Sequence, residues 1–302
     1  MSMKTNNRFT TTWVVSALVI FCQLIPAISF AADVEEDFQW FASLGYVTGI
    51  SESIHIDQNL IDTETKERFK GFSVELRAQY KGFFLEIPGR GLGDNDGLYT
   101  GPGLGYNFLN TEIWSFDAYF TQESSSSEWT FSNPEQTYSI PKDSDLRFGL
   151  RATGYYDKFL TQFIFTPVSV RDEIGGFALS ASIRRDWQIR NFNIFTSIGA
   201  KYRSSGILNY YYGISEEESL RISEVASYWD TAEQLNEFYV PTEIGAGTSI
   251  NLQIGFEHPF TENWVFGGSY AVVKYADSVK NSPFRAGDAT SIVSGLSITY
   301  VF

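Results

Sequence analysis

The chain has 302 residues, of which 43% are hydrophobic and 17% are aromatic. Its mean hydropathy of −0.15 is too low for a bundle of membrane-spanning helices. The 36 acidic residues outnumber the 22 Lys and Arg, so the formal net charge is −14, which excludes the basic surface that a nucleic-acid-binding protein needs.

The N-terminal segment is typical of a secretory signal peptide. Two basic residues precede the apolar stretch TTWVVSALVIFCQLI, which is shorter than the ~20 residues that a membrane-spanning helix needs. Small residues, Ser29 and Ala31, stand where a signal peptidase requires them, so we predict cleavage between Ala31 and Ala32. Residues 1–31 are then the signal peptide and residues 32–302 are the exported domain, which keeps no cysteine and therefore no disulfide.

The exported domain is dominated by alternation of apolar and polar residues, which is the period of a β-strand. FSVELRAQY, LRFGLRATGYY and EIGAGTSINLQIGF are the clearest examples, and the last is as long as a tilted strand that crosses a bilayer. No later segment is apolar for long enough to form a transmembrane helix. The pattern predicts about twelve strands, at 38–50, 69–80, 83–87, 98–107, 112–120, 146–156, 158–167, 177–185, 192–203, 243–256, 263–275 and 290–302.

The connections between these strands alternate in length. Short links are KG, FLNT, a turn around Asp157, DWQIRN and EHPFTEN. The long polar links are 51–68, 88–97, 121–145, 168–176, 204–242 and 276–289. Outer-membrane barrels have short periplasmic turns, long external loops and an even strand number, whereas a soluble sandwich has no reason to segregate its loops. We therefore predict an all-β, antiparallel transmembrane barrel of the bacterial outer membrane, with both termini periplasmic and with membrane lipid and lipopolysaccharide around it.

The chain ends in SGLSITYVF, a strand with a strict two-residue alternation. In a closed barrel the last strand pairs with the first, so Leu296, Ile298 and Tyr300 are predicted to face lipid. Phe302 is predicted to lie at the periplasmic rim, where aromatic girdles occur. A terminal strand of this kind resembles the signal by which the barrel-assembly machinery recognises outer-membrane proteins for insertion.

Eight charged residues fall on the polar face of the predicted strands, which points into the barrel. Such residues either line a pore or pair with one another and fill the lumen. Twelve strands lie between the filled eight-stranded barrels and the open porins, and we favour the pairing. The residues are Glu75, Arg77, Glu86, Asp117, Arg147, Arg151, Arg184 and Lys201.

The sequence offers no recognisable catalytic or metal-binding constellation. Its two histidines, His55 and His258, fall in predicted links at opposite ends of the barrel, and no G-x-S-x-G elbow is present. PGRGLGDNDG lacks the spacing and the closing Glu of a calcium loop, and His/Cys clusters are absent. We predict a protein that is not an enzyme and that uses no metal or cofactor.

The link 204–242 is the most distinctive. Ser215 and Glu218 have the spacing of a helix capping box, and Val225, Trp229 and Leu235 are spaced as an apolar stripe on one or two short helices. Its surplus of acidic residues is typical of a solvated face. A sharper hypothesis is that divalent cations bridge these carboxylates to anionic lipopolysaccharide. The acidic residues are Glu216, Glu217, Glu218, Glu224, Asp230, Glu233 and Glu237.

Several stretches resemble the MipA/OmpV family, which is named after the MltA-interacting protein. NYYYGISEEES carries its Tyr-Tyr-Gly-hydrophobic-Ser element, FTENWVFGGSYAVVKYADSVKNSPF resembles its final hairpin, and GFFLEIPGRGLG resembles a segment between early strands. GISESIHIDQN departs from the Tyr-Glu-Gly-Ser-like stretch that the family usually has after the first strand. The resemblance rests on Tyr211, Tyr212, Gly213, Ser215, Trp264, Ser282 and Pro283.

The resemblance implies a scaffold for peptidoglycan-remodelling complexes, one that brings a lytic transglycosylase near a murein synthase. A periplasmic partner would meet only the short turns and the termini. Two other functions are compatible with the residues. The charged, Gly- and Ser-rich inner face fits a small diffusion channel, and the acidic segment 215–237 fits surface adhesion or ligand capture.

Overall fold

A closed barrel of twelve antiparallel strands forms the protein in the computed structural model, which confirms the predicted fold class and strand number. The structure describes residues 38–52, 66–87, 102–124, 127–132, 137–226, 240–283 and 289–302. The predicted signal peptide, its cleavage site and His55 lie outside these residues.

The barrel strands are β1 (Phe38–Glu52), β2 (Lys66–Tyr80), β3 (Phe83–Ile87), β4 (Gly103–Asn110), β5 (Trp114–Ser124), β8 (Asp145–Tyr156), β9 (Phe159–Ser169), β10 (Ala178–Ile189), β11 (Phe192–Arg203), β12 (Gly247–Pro259), β13 (Trp264–Lys274) and β14 (Thr290–Val301). Two further strands, β6 (Ser127–Ser132) and β7 (Thr137–Lys142), form a separate hairpin. The helices are α1 (Ser205–Tyr212), α2 (Glu216–Ala226) and a 3₁₀ helix, Asp277–Asn281. Within the described part of the chain, the helices are all too short or too polar to cross a membrane.

The burial pattern of the wall is the reverse of that in a water-soluble sheet. On β12, Ile250, Leu252 and Ile254 are 50%, 57% and 51% exposed on the outside, whereas Asn251 and Gln253 are 2% and 5% exposed on the inside. Apolar side chains on the outer wall and polar ones within are what a hydrocarbon surrounding requires. The alternation in the sequence therefore sorts side chains between lipid and lumen.

The first and last strands close the barrel. β1 and β14 pair in a register that runs from Ser43–Val301 to Glu52–Ile292, and the amide of Phe302 donates to the carbonyl of Ala42 at 3.1 Å. Closure leaves no sheet edge, so the barrel hydrogen bonds are satisfied within the wall.

The connections at one end of the barrel are short turns, and we call this end the short-turn rim. Lys81, Asp157 and Arg190 have φ of 48°, 51° and 54°, the left-handed conformation that two-residue hairpins use. The strand ends that the long connections join lie at the opposite end, the long-connection rim.

Several strand boundaries differ from the sequence prediction, and two of the differences change the interpretation of a connection. The predicted loop 121–145 contains the β6–β7 hairpin, because the alternation in SEWTFS and TYSIPK lies beside a run of serines that reads as loop. β12 extends to Pro259, so His258 lies in a strand rather than in a turn and stacks on Phe192 with ring centroids 4.4 Å apart.

Candidate functional site

Charged side chains on the short-turn half of the lumen wall form one network around Arg151. The Arg151 guanidinium contacts Glu86 at 2.6 Å and Asp117 at 2.7 Å, and it lies 4.7 Å and 4.3 Å from the ring centroids of Phe84 and Tyr119. The Tyr119 hydroxyl also donates to Glu86 at 2.6 Å. One cation thus joins carboxylates from β3 and β5 to β8.

A second ionic cluster crosses the lumen. Glu123 on β5 contacts Lys201 at 2.7 Å and Arg203 at 3.2 Å, and both of these cations lie on β11. β8, β9 and β10 separate these two strands in the wall, so the contact spans the interior rather than following the sheet. The three side chains are only 2–6% exposed, and we call them the cross-lumen cluster.

Sequence reasoning found Lys201 but missed its partners. The predicted strand ended at residue 120, three residues before Glu123. The signal was present, because Asp117, Tyr119 and Glu123 follow one inward-facing alternation.

Arg147 is a fully buried anchor on the inner side of β8. It contacts Asp145 at 2.5 Å and donates to the carbonyls of Ile174 at 3.0 Å and Gly176 at 2.7 Å. These bonds fix the β9–β10 connection onto β8. The role of Arg147 in this arrangement is to hold a loop, and not to line a pathway.

The remaining charges of the predicted lumen set pair locally. Arg77 contacts Glu75 at 3.0 Å, and Arg184 contacts Asp186 at 2.8 Å, each across two residues of one strand. The structure therefore brings Glu86, Asp117 and Arg151 together and leaves the other predicted charges in separate contacts.

The connection after β11 folds over the lumen as a cap. Ile207 and Leu208 of α1 are buried in a cluster with Ile174, Val273 and Val279. This cluster lies at the long-connection rim, since α1 follows the end of β11 directly. We call α1 and this cluster the cap.

Most of the family-motif residues lie in the cap or directly beside it. The Ser282 hydroxyl donates to the carbonyl of Tyr212 at 2.7 Å, and the Tyr211 hydroxyl donates to the carbonyl of Asp143 at 2.8 Å. A β-carbon on Gly213 would lie 2.7 Å from the carbonyl oxygen of Asn209, so only glycine fits there. Pro283, next to Ser282, is also buried. These motif residues therefore help to hold the cap in place.

The predicted capping box is present at the start of α2. The Ser215 amide donates to Glu218 at 2.8 Å, and the Glu218 amide donates to the Ser215 hydroxyl at 3.2 Å. Lys142, at the end of β7, contacts Glu218 at 3.0 Å. Burial raises the pKa of Glu218, but the hydrogen bonds from Ser215 and Lys142 outweigh it and hold this pKa below its ordinary value.

The acidic segment is less open to cations than its composition suggests. Glu218 is paired with Lys142, and Glu217 contacts Arg221 at 2.8 Å. The acidic residues from 230 onward, with Trp229 and Leu235, lie outside the described residues.

Trp264 lies apart from the other motif residues, on the outer wall at the short-turn rim. Its ring is 5.2 Å from that of Tyr300, which is 5.0 Å from that of Phe302. Leu296 and Ile298 face outward on β14, the strand that carries Tyr300. The terminal strand therefore presents its apolar side to the surroundings of the barrel and ends in an aromatic cluster.

The family model of the MltA-interacting protein MipA matches residues 61–302. No curated protein matches the sequence.

Solved barrels overlap the fold at very low sequence identity. OprB of Pseudomonas putida has 9% identity and a TM-score of 0.41, with 88% of this chain and 94% of that chain covered. The NanC porin has 7% identity and a TM-score of 0.41, with coverage of 85% and 98%. The translocator domain of the autotransporter NalP from Neisseria meningitidis has 10% identity and a TM-score of 0.39, with coverage of 99% and 100%. Overlap at this level carries no information on function.

Proposed function

Because the chain belongs to the family of the MltA-interacting protein MipA, we propose that this outer-membrane barrel scaffolds peptidoglycan remodelling and is not itself an enzyme. The observation that carries the proposal is the family match across 61–302, since the family takes its name from an interaction with MltA. The proposed partners are a lytic transglycosylase and, through it, a murein synthase.

The lumen supports a scaffold better than a diffusion channel. The cross-lumen cluster joins two strands that are not neighbours in the wall, and the cap packs apolar side chains at the rim beyond it. A solute would have to separate buried opposite charges, which costs several kcal/mol per ion. The surfaces available to bind a protein partner are then at the rims.

In the proposed orientation the short-turn rim faces the periplasm and meets the partner. This rim is held rigidly: the side-chain amide of Asn263 donates to the carbonyl of Val301 at 2.9 Å, and His258 stacks on Phe192. Glu262 and Asn191 are exposed beside these contacts. A rigid surface loses little conformational entropy on binding, so even a small one can dock a protein partner.

Site-specific cross-linking in intact cells tests the proposal. A photoreactive amino acid replaces Glu262 at the short-turn rim, and in a matched control it replaces Glu217 on α2 at the opposite rim; both side chains are exposed. We expect a covalent adduct with a lytic transglycosylase from position 262 and not from 217. Capture of no murein enzyme from 262, or equal capture from 217, would overturn the scaffold proposal.

A further inference from the structure

The outer wall carries an apolar groove of about 880 Å³ across β11, β12, β13, β14 and β1. Small residues on neighbouring strands, Thr48, Gly268 and Ser294, lie along its floor. Larger outward side chains, among them Leu296 and Tyr270, form its sides. Its volume is within the range of about 300–1,000 Å³ that is typical of small-molecule sites.

Gly268 keeps the floor of the groove low. A β-carbon at this position would lie 2.7 Å from Cε1 of Phe256 and 2.9 Å from Cδ2 of Leu296. Both neighbours face the groove, and any side chain at 268 would push them apart. The depression is therefore built by the sequence and is not a gap between flexible side chains.

One end of the groove is basic. Arg68 lines it, and Lys70 is the next residue on the same face of β2; both side chains are exposed and neither forms an ion pair with a described residue. β2 begins at the long-connection rim, so the cations lie at that height on the outer wall. Two exposed cations on one face are conspicuous in a chain whose net charge is −14.

We propose that the groove binds lipopolysaccharide of the outer leaflet, with an acyl chain of lipid A against the apolar floor and a phosphate on Arg68. The chemistry is complementary, since a guanidinium binds a phosphate through two parallel hydrogen bonds and an alkyl chain gains van der Waals contacts in an apolar groove. The inference rests on the orientation in the proposed function, which places the long-connection rim outside the cell. Phospholipid or a second copy of the chain are the competing occupants.

Native mass spectrometry of the detergent-extracted barrel distinguishes these occupants by mass. Purified lipid A, dephosphorylated lipid A and phosphatidylglycerol are each titrated against the full exported domain. We expect lipid A to bind as a discrete adduct, Arg68→Ala to weaken it about tenfold, and removal of the phosphates to weaken it similarly. Thr48→Leu, which fills the floor, should weaken binding of both lipid A forms.

Arg190→Ala is the matched control, because Arg190 is exposed in a turn at the opposite rim, and it should leave the affinity unchanged. Folding of each variant is checked by the heat-dependent shift in gel mobility. Lys70→Ala is a second variant that removes a basic side chain from the same end of the groove. The proposal would be overturned if phosphatidylglycerol bound as tightly as lipid A, or if a dimer formed in place of the lipid adduct. It would also be overturned if neither Arg68→Ala nor Thr48→Leu weakened the binding of lipid A. None of these outcomes bears on capture of a transglycosylase at position 262, so the two proposals fail separately.

Discussion

Replacing Glu123 by Gln removes the only anion of the cross-lumen cluster. Glu123 accepts hydrogen bonds from Lys201 at 2.7 Å and from Arg203 at 3.2 Å. A hydrogen bond to a charged group contributes about 1.5–3 kcal/mol, so the two contribute about 3–6 kcal/mol. Glu123→Gln keeps an acceptor oxygen but removes the negative charge that Glu123 supplies to two buried cations, and the expected loss in unfolding free energy is about 3–5 kcal/mol.

Urea unfolding of the barrel folded into lipid vesicles measures this loss, with the fluorescence of the 7 Trp as the signal. Glu217→Gln is the matched control, because Glu217 is 77% exposed and its pair with Arg221 should contribute about 0.2–1 kcal/mol. Adding Lys201→Met to Glu123→Gln should restore part of the loss, because one of the two buried cations that faced Glu123 is removed. If Glu123→Gln costs no more than Glu217→Gln, the reasoning that the cluster is desolvated and spans the lumen is wrong.

Two further predictions use the same assay. The lowered pKa of Glu218 means that its stabilising contact with Lys142 is complete above about pH 4.5 and is lost as the pH falls through the lowered value. The difference in unfolding free energy between the native chain and Glu218→Gln should therefore shrink to zero in acid; a constant difference would contradict this. Gly149→Ala places a β-carbon against the backbone carbonyl of Phe165, which cannot rotate away, and should cost about 1–3 kcal/mol. Gly71→Ala, where a β-carbon would meet nothing within 4 Å, should be neutral or stabilising, and equal losses at the two glycines would refute the steric argument.

The barrel could be predicted from the sequence because strand alternation and connection length are local properties. Leu252 and Gln253 are sorted to opposite faces by their position in one strand, and no distant residue changes that. The closure of β14 on β1 followed from the even strand number and the alternating terminal strand.

The cross-lumen contact could not be predicted in the same way. Alternation assigns Glu123 and Arg203 to the inner face, but it does not say which strands oppose each other across the interior. That depends on the curvature of the whole wall. The cap was missed for a related reason, since α1 is stabilised by burial against Ile174 and Val279, which come from two other connections.

The family motif shows a further limit of sequence reasoning. Tyr212 and Ser282 are 70 residues apart in the chain yet share a hydrogen bond, whereas Trp264 lies on the outer wall at the other rim. A set of residues that marks a family thus divides into a cap and a membrane-facing aromatic cluster with separate physical roles.

The seam between β1 and β14 also constrains how the molecule is made. A chain that lacks its final strand would have two edge strands, β1 and β13, whose unpaired backbone amides and carbonyls would face hydrocarbon. Each unpaired group would cost several kcal/mol. Synthesis must therefore be finished before the barrel can close, and closure is one all-or-none event. Truncation by a few C-terminal residues should consequently send the whole polypeptide to periplasmic proteolysis rather than yield a slightly smaller barrel.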